Sequence, residues 1–228
     1  AAGGGRAVPA HRLAAVADDR GAGDEPEFRV CDQQCVAPAS GLNSERRSTS
    51  GPLIMDIVAH GVWVGLGAAW VHQNRRLDYR TTALTVGMAV VPDLVQLLPL
   101  GYLALVTSDG WSVLQAYANA LPGYEPSMPP ALTLLTHHLH CVMHSALVAG
   151  VVTAACWVWL RRLWIPLLGW WSHILIDVFT HSADFYPSPV LYPMTYWGFD
   201  GIAWNTPWFM VVNYLAMLAV VTVIIRRK

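Results

Sequence analysis

The chain has 228 residues, 54% of them hydrophobic and 13% charged, with a formal net charge of -1 at pH 7. That balance excludes nucleic acid as a partner, because binding the phosphate backbone needs a surplus of Lys and Arg, and the length fits one domain. Beyond residue 54 every Lys and Arg falls in one of three clusters: Arg75, Arg76 and Arg80, then Arg161 and Arg162, then Arg226, Arg227 and Lys228.

Residues 1–54 are rich in Gly, Ala, Arg, Asp and Ser without hydrophobic periodicity, the composition of a disordered tail. No charged-then-apolar signal peptide opens them, and Met55 offers an alternative start, so the tail is expected to be foreign to the domain 55–228 that follows. Cys31 and Cys35 lie in this tail, Cys141 and Cys156 lie far downstream, and no disulfide is assigned.

From residue 55 the apolar stretches 55–74, 82–104, 133–160, 163–182 and 206–225 approach or exceed the roughly 20 residues that carry a helix across a hydrocarbon core of about 30 Å. Lipid offers no hydrogen-bond partners, so each must be helical. The expected fold is an all-α polytopic membrane bundle of five transmembrane helices. The basic clusters follow the first stretch, separate the third from the fourth, and follow the fifth. Because positive charge gathers on cytoplasmic loops, the N-terminus is expected outside and the C-terminus inside, with 105–132 and 183–205 as long outer loops.

Within these stretches lie His60, Asp93, His137, His138, His140, His144, His173, Asp177 and His181. An Asp at the centre of a span costs about 2.5–3.5 kcal/mol on insertion scales, so such residues mark function by default. No Lys or Arg shares the spans with Asp93 and Asp177, which leaves a cation from solution as the neutralising partner. Imidazole with carboxylate suits zinc, and also iron or manganese.

Spacing sharpens the set. His173, Asp177 and His181 recur every four residues and form one helical stripe, and His137, His140 and His144 form another. His173 and His181 would stand about 12 Å apart along a helix axis, too far to share one ion, so Asp177 is expected to join either neighbour or bridge two ions. The metal candidates are therefore His60, Asp93, His140, His144, His173, Asp177 and His181. Which of His137, His138 and His140 ligates stays open, since the first two would sit at the wet mouth of the helix. Asp93 and Asp177 are the catalytic candidates, Asp93 as the general base.

The run Gly169-Trp-Trp-Ser-His173-Ile-Leu-Ile-Asp177-Val-Phe-Thr180-His181, followed by Leu191-Tyr-Pro193, resembles the signature of bacterial inner-membrane metal-dependent hydrolases of the YdjM-like family. Val91-Pro92-Asp93 resembles that family's Pro-Asp element, His144-Ser145 its His-Ser element, and His60 its early histidine, so the likeness covers about residues 55–205. A fainter similarity reaches zinc-dependent phospholipase C. The stretch His137-His138-Leu-His140 lacks the His-Arg-Gly lead of many relatives, and no Glu follows Glu125 to match the late glutamate of the phospholipase pattern. The resemblance implies a bacterial inner-membrane protein that holds a divalent metal, zinc first, with room for two ions.

A hydroxide nucleophile on such a metal suits phosphoester hydrolysis, and Trp111, Tyr117, Tyr124, Tyr186, Tyr192, Tyr196, Trp197 and Trp204 in the outer loops fit an aromatic belt at headgroup level. The expected substrate is a phosphoester or lipid headgroup reached from the outer side, with membrane lipid as the surrounding partner. A haem-binding membrane protein and a metal or proton transporter stand as the alternatives. Tyr192 and Pro193 are expected to form a turn over the site, and Asp200 and Asn205 to shape the adjoining loop. Gly61, Gly65 and Gly67 permit close helix packing, within or between chains, so oligomeric state is open.

Overall fold

A computed structural model of the chain describes residues 54–74, 78–120, 125–183 and 186–227. The expectations for residues 1–53, and for Arg75, Arg76, Tyr124 and Lys228, fall outside the described residues. Those described form helices joined by loops: α1 (Ile54–Asn74), α2 (Tyr79–Gln96), α3 (Leu98–Val106), α4 (Gly110–Ala118), α5 (Pro130–Met143), α6 (Ala146–Leu160), α7 (Leu167–Thr180) and α8 (Pro207–Arg226). The fold is all-helical, as the sequence implies.

Two of the expected continuous spans are bent. α2 and α3 meet at Leu97 with an angle of 56°, and α5 and α6 meet at His144–Ser145 with an angle of 62°. Pro99, in the first turn of α3, gives the first break a local cause, because it has no N–H for the Val95 carbonyl and its ring would clash with that carbonyl in a continuous helix. The second break has neither Pro nor Gly. His144 ends α5 with φ -99° and ψ 7°, and Ser145 turns extended and caps α6, its Oγ accepting the Val148 amide at 3.2 Å.

Among the described helices, Pro207–Arg226 is long and apolar enough to cross a membrane alone, and up to three spans result when each bent pair counts as one. α7 is apolar but has 14 residues, short of the roughly 20 that a perpendicular crossing requires.

α7 packs against α1, α2 and α6. Its apolar side joins Ala149, Leu167, Trp170 and Ile174 in a buried cluster. Its contact with α2 depends on Gly169: a Cβ there would overlap the Thr85 carbonyl and lie 3.0 Å from the Ala89 amide nitrogen. Gly61 on α1 also faces α2, where a Cβ would come 3.2 Å from Val90 Cγ2, so this small residue serves packing within the chain. α1 is tied to α8 by Trp63 Nε1, which donates to Asn213 Oδ1 at 2.8 Å, and by Arg227, whose guanidinium lies 3.9 Å from the Trp70 ring centroid.

The loop after α7 returns over the break in the fifth and sixth helices. Ser145 Oγ donates to the Tyr192 carbonyl at 2.6 Å, and the Leu147 amide donates to the Val190 carbonyl at 3.3 Å. Tyr192–Pro193 lies in the expected turn, with a cis peptide bond. Farther on, the Gly201, Ile202 and Trp204 amides donate to the carbonyls of His181, Phe179 and Thr180 at 2.8, 3.0 and 2.7 Å. Asp200 shapes this loop as expected, its Oδ1 accepting the Ala183 amide at 2.8 Å.

Candidate metal centre

Four helices and one helix break bring five of the candidate ligands to a single point. His60 comes from α1, Asp93 from α2, His144 from the end of α5, and His173 and Asp177 from successive turns of α7. His60 and His144 are 1% exposed, His173 and Asp177 0%, and Asp93 5%, so water reaches almost none of this cluster.

The geometry follows from how the imidazoles are held. His173 Nδ1 donates to the Ala89 carbonyl at 2.8 Å, and His144 Nδ1 donates to the His140 carbonyl at 2.8 Å. A carbonyl only accepts, so each Nδ1 carries the hydrogen and each neutral ring presents its Nε2 lone pair. Those two Nε2 atoms face each other at 3.0 Å, and each lies 3.1 Å from Asp177 Oδ2. Two lone pairs and a carboxylate oxygen crowded together repel unless a cation lies among them. A proton can sit on only one of the two facing nitrogens, whereas a divalent ion accepts all three donors. Fixing one ring nitrogen through a backbone carbonyl is also the common second partner of a metal-bound histidine.

The remaining donors extend the cluster. His60 Nε2 lies 2.9 Å from Asp177 Oδ1, and its ring centroid is 4.1 Å from that of His173. Asp93 Oδ1 stands 3.5 Å from His144 Nε2 and 3.7 Å from His173 Nε2. Oδ2 of Asp93 is buried without a hydrogen-bond donor among the described residues, and the nearest polar partners of the two Asp177 oxygens are imidazoles at 2.9–3.1 Å. Two overlapping three-donor sets emerge, His60 with Asp93 and His173, and His144 with His173 and Asp177, each with its ligand atoms within 4.8 Å of one another. These buried groups fit a divalent ion in number and donor type.

Local sequence explains much of the placement. Pro92 cannot donate to the Met88 carbonyl, so α2 lacks one backbone hydrogen bond beside the Ala89 carbonyl that receives His173. Gly169, one turn before His173, lets α7 come close enough for that bond. Trp170 Nε1 donates to the Met143 carbonyl at 2.6 Å and so caps the broken end of α5 beside His144.

The other candidates stand outside the three-donor sets. His140 Nδ1 donates to Gln96 Oε1 at 3.0 Å, and its ring stacks on His144 at 4.1 Å. His181 does not continue the α7 stripe: it caps the helix in an extended conformation, with Nδ1 3.2 Å from the Asp177 carbonyl and 3.8 Å from Asp177 Oδ1. The four-residue spacing holds only while the helix lasts, and the helix ends at Thr180. His138 Nδ1 lies 2.9 Å from the Tyr192 hydroxyl, and His137 stacks against Tyr196 with centroids 6.0 Å apart.

Gln96 was not among the residues singled out from the sequence. It is buried, and it falls three residues after Asp93 on the same face of α2, a spacing that would have revealed it. The Ala89 carbonyl carries no such signal, because backbone groups have no sequence signature. The chain matches no protein-family model, no curated protein and no solved structure.

Proposed function

We propose that the chain is a membrane-embedded, metal-dependent hydrolase acting on a phosphoester or lipid headgroup. The observation that carries this reading is the convergence of His144 Nε2, His173 Nε2 and Asp177 Oδ2 within 3.0–3.1 Å of one another, with both imidazoles oriented by carbonyls. Zinc is the favoured ion; the two donor sets share His173, whose one free lone pair serves a single ion, so a second ion would have to rest on His60, Asp93 and the Oδ1 of Asp177. The likeness of the Gly169–His181 run, Pro92-Asp93 and His144-Ser145 to the YdjM-like signature supports the same activity.

A divalent ion at this point supplies Lewis acidity toward a phosphoryl oxygen and acidifies water. The chain's own residues divide the remaining work. Asp177, with an oxygen toward each of three imidazoles, is committed as a ligand. Asp93 is less committed, since its Oδ1 stands 3.5 Å or more from the nearest imidazole nitrogens and its Oδ2 has no donor, so it is placed to take a proton from water as general base. Burial by α1, α2, α5 and α7 keeps competing water away from the charged cluster.

The orientation that goes with this activity puts the clusters Arg75–Arg76–Arg80, Arg161–Arg162 and Arg226–Lys228 on the cytoplasmic side and the 183–205 loop outside, in a bacterial inner membrane. In a five-span arrangement the bent pairs α2–α3 and α5–α6 each make one crossing, and broken helices are tolerated at membrane depth where they line a buried site. A haem reading fits the geometry poorly, because the two facing imidazoles and Asp177 meet at one point with no gap for a macrocycle between them.

The test is the metal content of the detergent-purified full chain, followed by a screen of phosphoesters and phospholipids with the loaded protein. Stoichiometric zinc, iron or manganese with turnover of a phosphoester supports the reading. Metal-free protein that cannot be reconstituted means that the cluster is an imidazolium–carboxylate network. Metal transport into proteoliposomes without hydrolysis would favour a transporter.

A further inference from the structure

We propose that His140, held by Gln96, is a transient divalent-cation site through which the buried centre is loaded, and that it is not a resident ligand. This rests on the metal reading above. Gln96 Oε1 only accepts, so His140 Nδ1 carries the hydrogen of their 3.0 Å bond and Nε2 keeps its lone pair. The His140 ring lies almost parallel to the His144 ring, at 29° and 4.1 Å. His140 retains partial exposure, whereas His144 is 1% exposed. A partly exposed residue therefore stacks its ring on a resident ligand, yet belongs to neither three-donor set.

The surroundings continue the path. One turn nearer the start of α5, Thr136 is 3% exposed and its Oγ1 has no hydrogen-bond partner among the described residues. His137 and His138, beside it, are partly exposed. Opposite, α2 buries Asp93 and Gln96 on one face. Polar donors thus step down α5 from Thr136 and His137 through His140 to His144, about one helical turn or 5.4 Å at a time.

A fully hydrated ion cannot enter a dry pocket in one step, because losing its water all at once is expensive. Exchanging water for one imidazole at a time divides that cost. No Lys or Arg occurs between residues 81 and 160 or between 163 and 225, so no fixed positive charge within these segments opposes the ion.

The full chain, stripped with a chelator in detergent, is reloaded with cobalt or zinc while loading and release are followed by stopped flow, and affinity and stoichiometry by titration. His140→Phe keeps a stacking ring and removes the donor, and Gln96→Leu removes the acceptor that fixes the tautomer. Both variants are expected to slow loading and release by the same factor, roughly tenfold, equivalent to about 1.4 kcal/mol of barrier, with affinity and stoichiometry unchanged. Unchanged rates overturn the proposal. Loss of bound ion or of affinity in His140→Phe overturns it too, by making His140 a resident ligand. If His140→Phe fails to fold, Gln96→Leu carries the test. A native chain that takes up neither metal overturns the underlying metal reading, an outcome distinct from the others.

Discussion

Gly169→Ala probes the centre without touching any ligand. The added Cβ would overlap the Thr85 carbonyl oxygen and lie 3.0 Å from both the Thr85 carbonyl carbon and the Ala89 amide nitrogen, all backbone atoms of α2 that no rotamer change can move aside. The two helices must separate, and overpacking of this kind costs about 1–3 kcal/mol. His173 lies one turn farther along α7 and depends on the same approach for its 2.8 Å bond to the Ala89 carbonyl. Lengthening that bond leaves a buried donor unpaired, at about 1–3 kcal/mol, and loss of such an orienting partner typically lowers metal affinity about 10–100-fold. The expected result is a lower midpoint of unfolding in detergent together with weaker zinc binding by competition with a chromophoric chelator. Native affinity and native stability in Gly169→Ala would refute the close approach of α2 and α7 as the device that positions His173.

His173→Ala and Asp177→Ala are each expected to abolish stoichiometric metal, read by elemental mass spectrometry of purified protein. In the native chain, chelation should lower the unfolding temperature, because an ion that binds only the folded state stabilises it by mass action. Asp93→Asn should retain most of the metal and lose turnover if Asp93 is the general base; equal loss of metal and turnover would make it a ligand only. Ser145→Ala removes both the cap of α6 and the bond to the Tyr192 carbonyl, and is expected to cost about 0.5–2 kcal/mol in chemical unfolding. The Tyr117 phenol, in the last turn of α4, is pushed up to about 12 by burial and by the nearby Glu125 carboxylate. With its folded pKa raised above the unfolded value of about 10, its contribution to stability is full below pH 10 or so and is lost as pH rises toward 12. Tyr117→Phe should accordingly flatten the alkaline loss of stability, and an unchanged profile would show that Tyr117 is exposed.

The candidate site was largely legible in the residues themselves. Ionisable groups in apolar stretches are costly, so His60, Asp93, His144, His173 and Asp177 stood out without any knowledge of their contacts, and the i, i+4 spacing of His173 and Asp177 placed them on one face of α7. His181 shows where that logic ends. It shares the spacing, but the loop amides of Gly201, Ile202 and Trp204 take the carbonyls at the end of α7, and the chain leaves the helix at His181. His140 likewise shares the α5 stripe and stacks on His144, but its Nδ1 is taken by Gln96 and it belongs to neither three-donor set.

Composition and patterning by themselves determined that the chain is helical, where its apolar segments lie, and which polar groups those segments must accommodate, since each follows from the cost of placing a residue type in an apolar environment. Only the tertiary structure decided which groups meet. The bend at His144–Ser145 arises from Trp170, Val190 and Tyr192, residues distant in sequence that satisfy the freed backbone groups and the Ser145 hydroxyl. The orientation of His173 depends on a carbonyl of α2, and no side-chain pattern encodes where a carbonyl will point once two helices have packed.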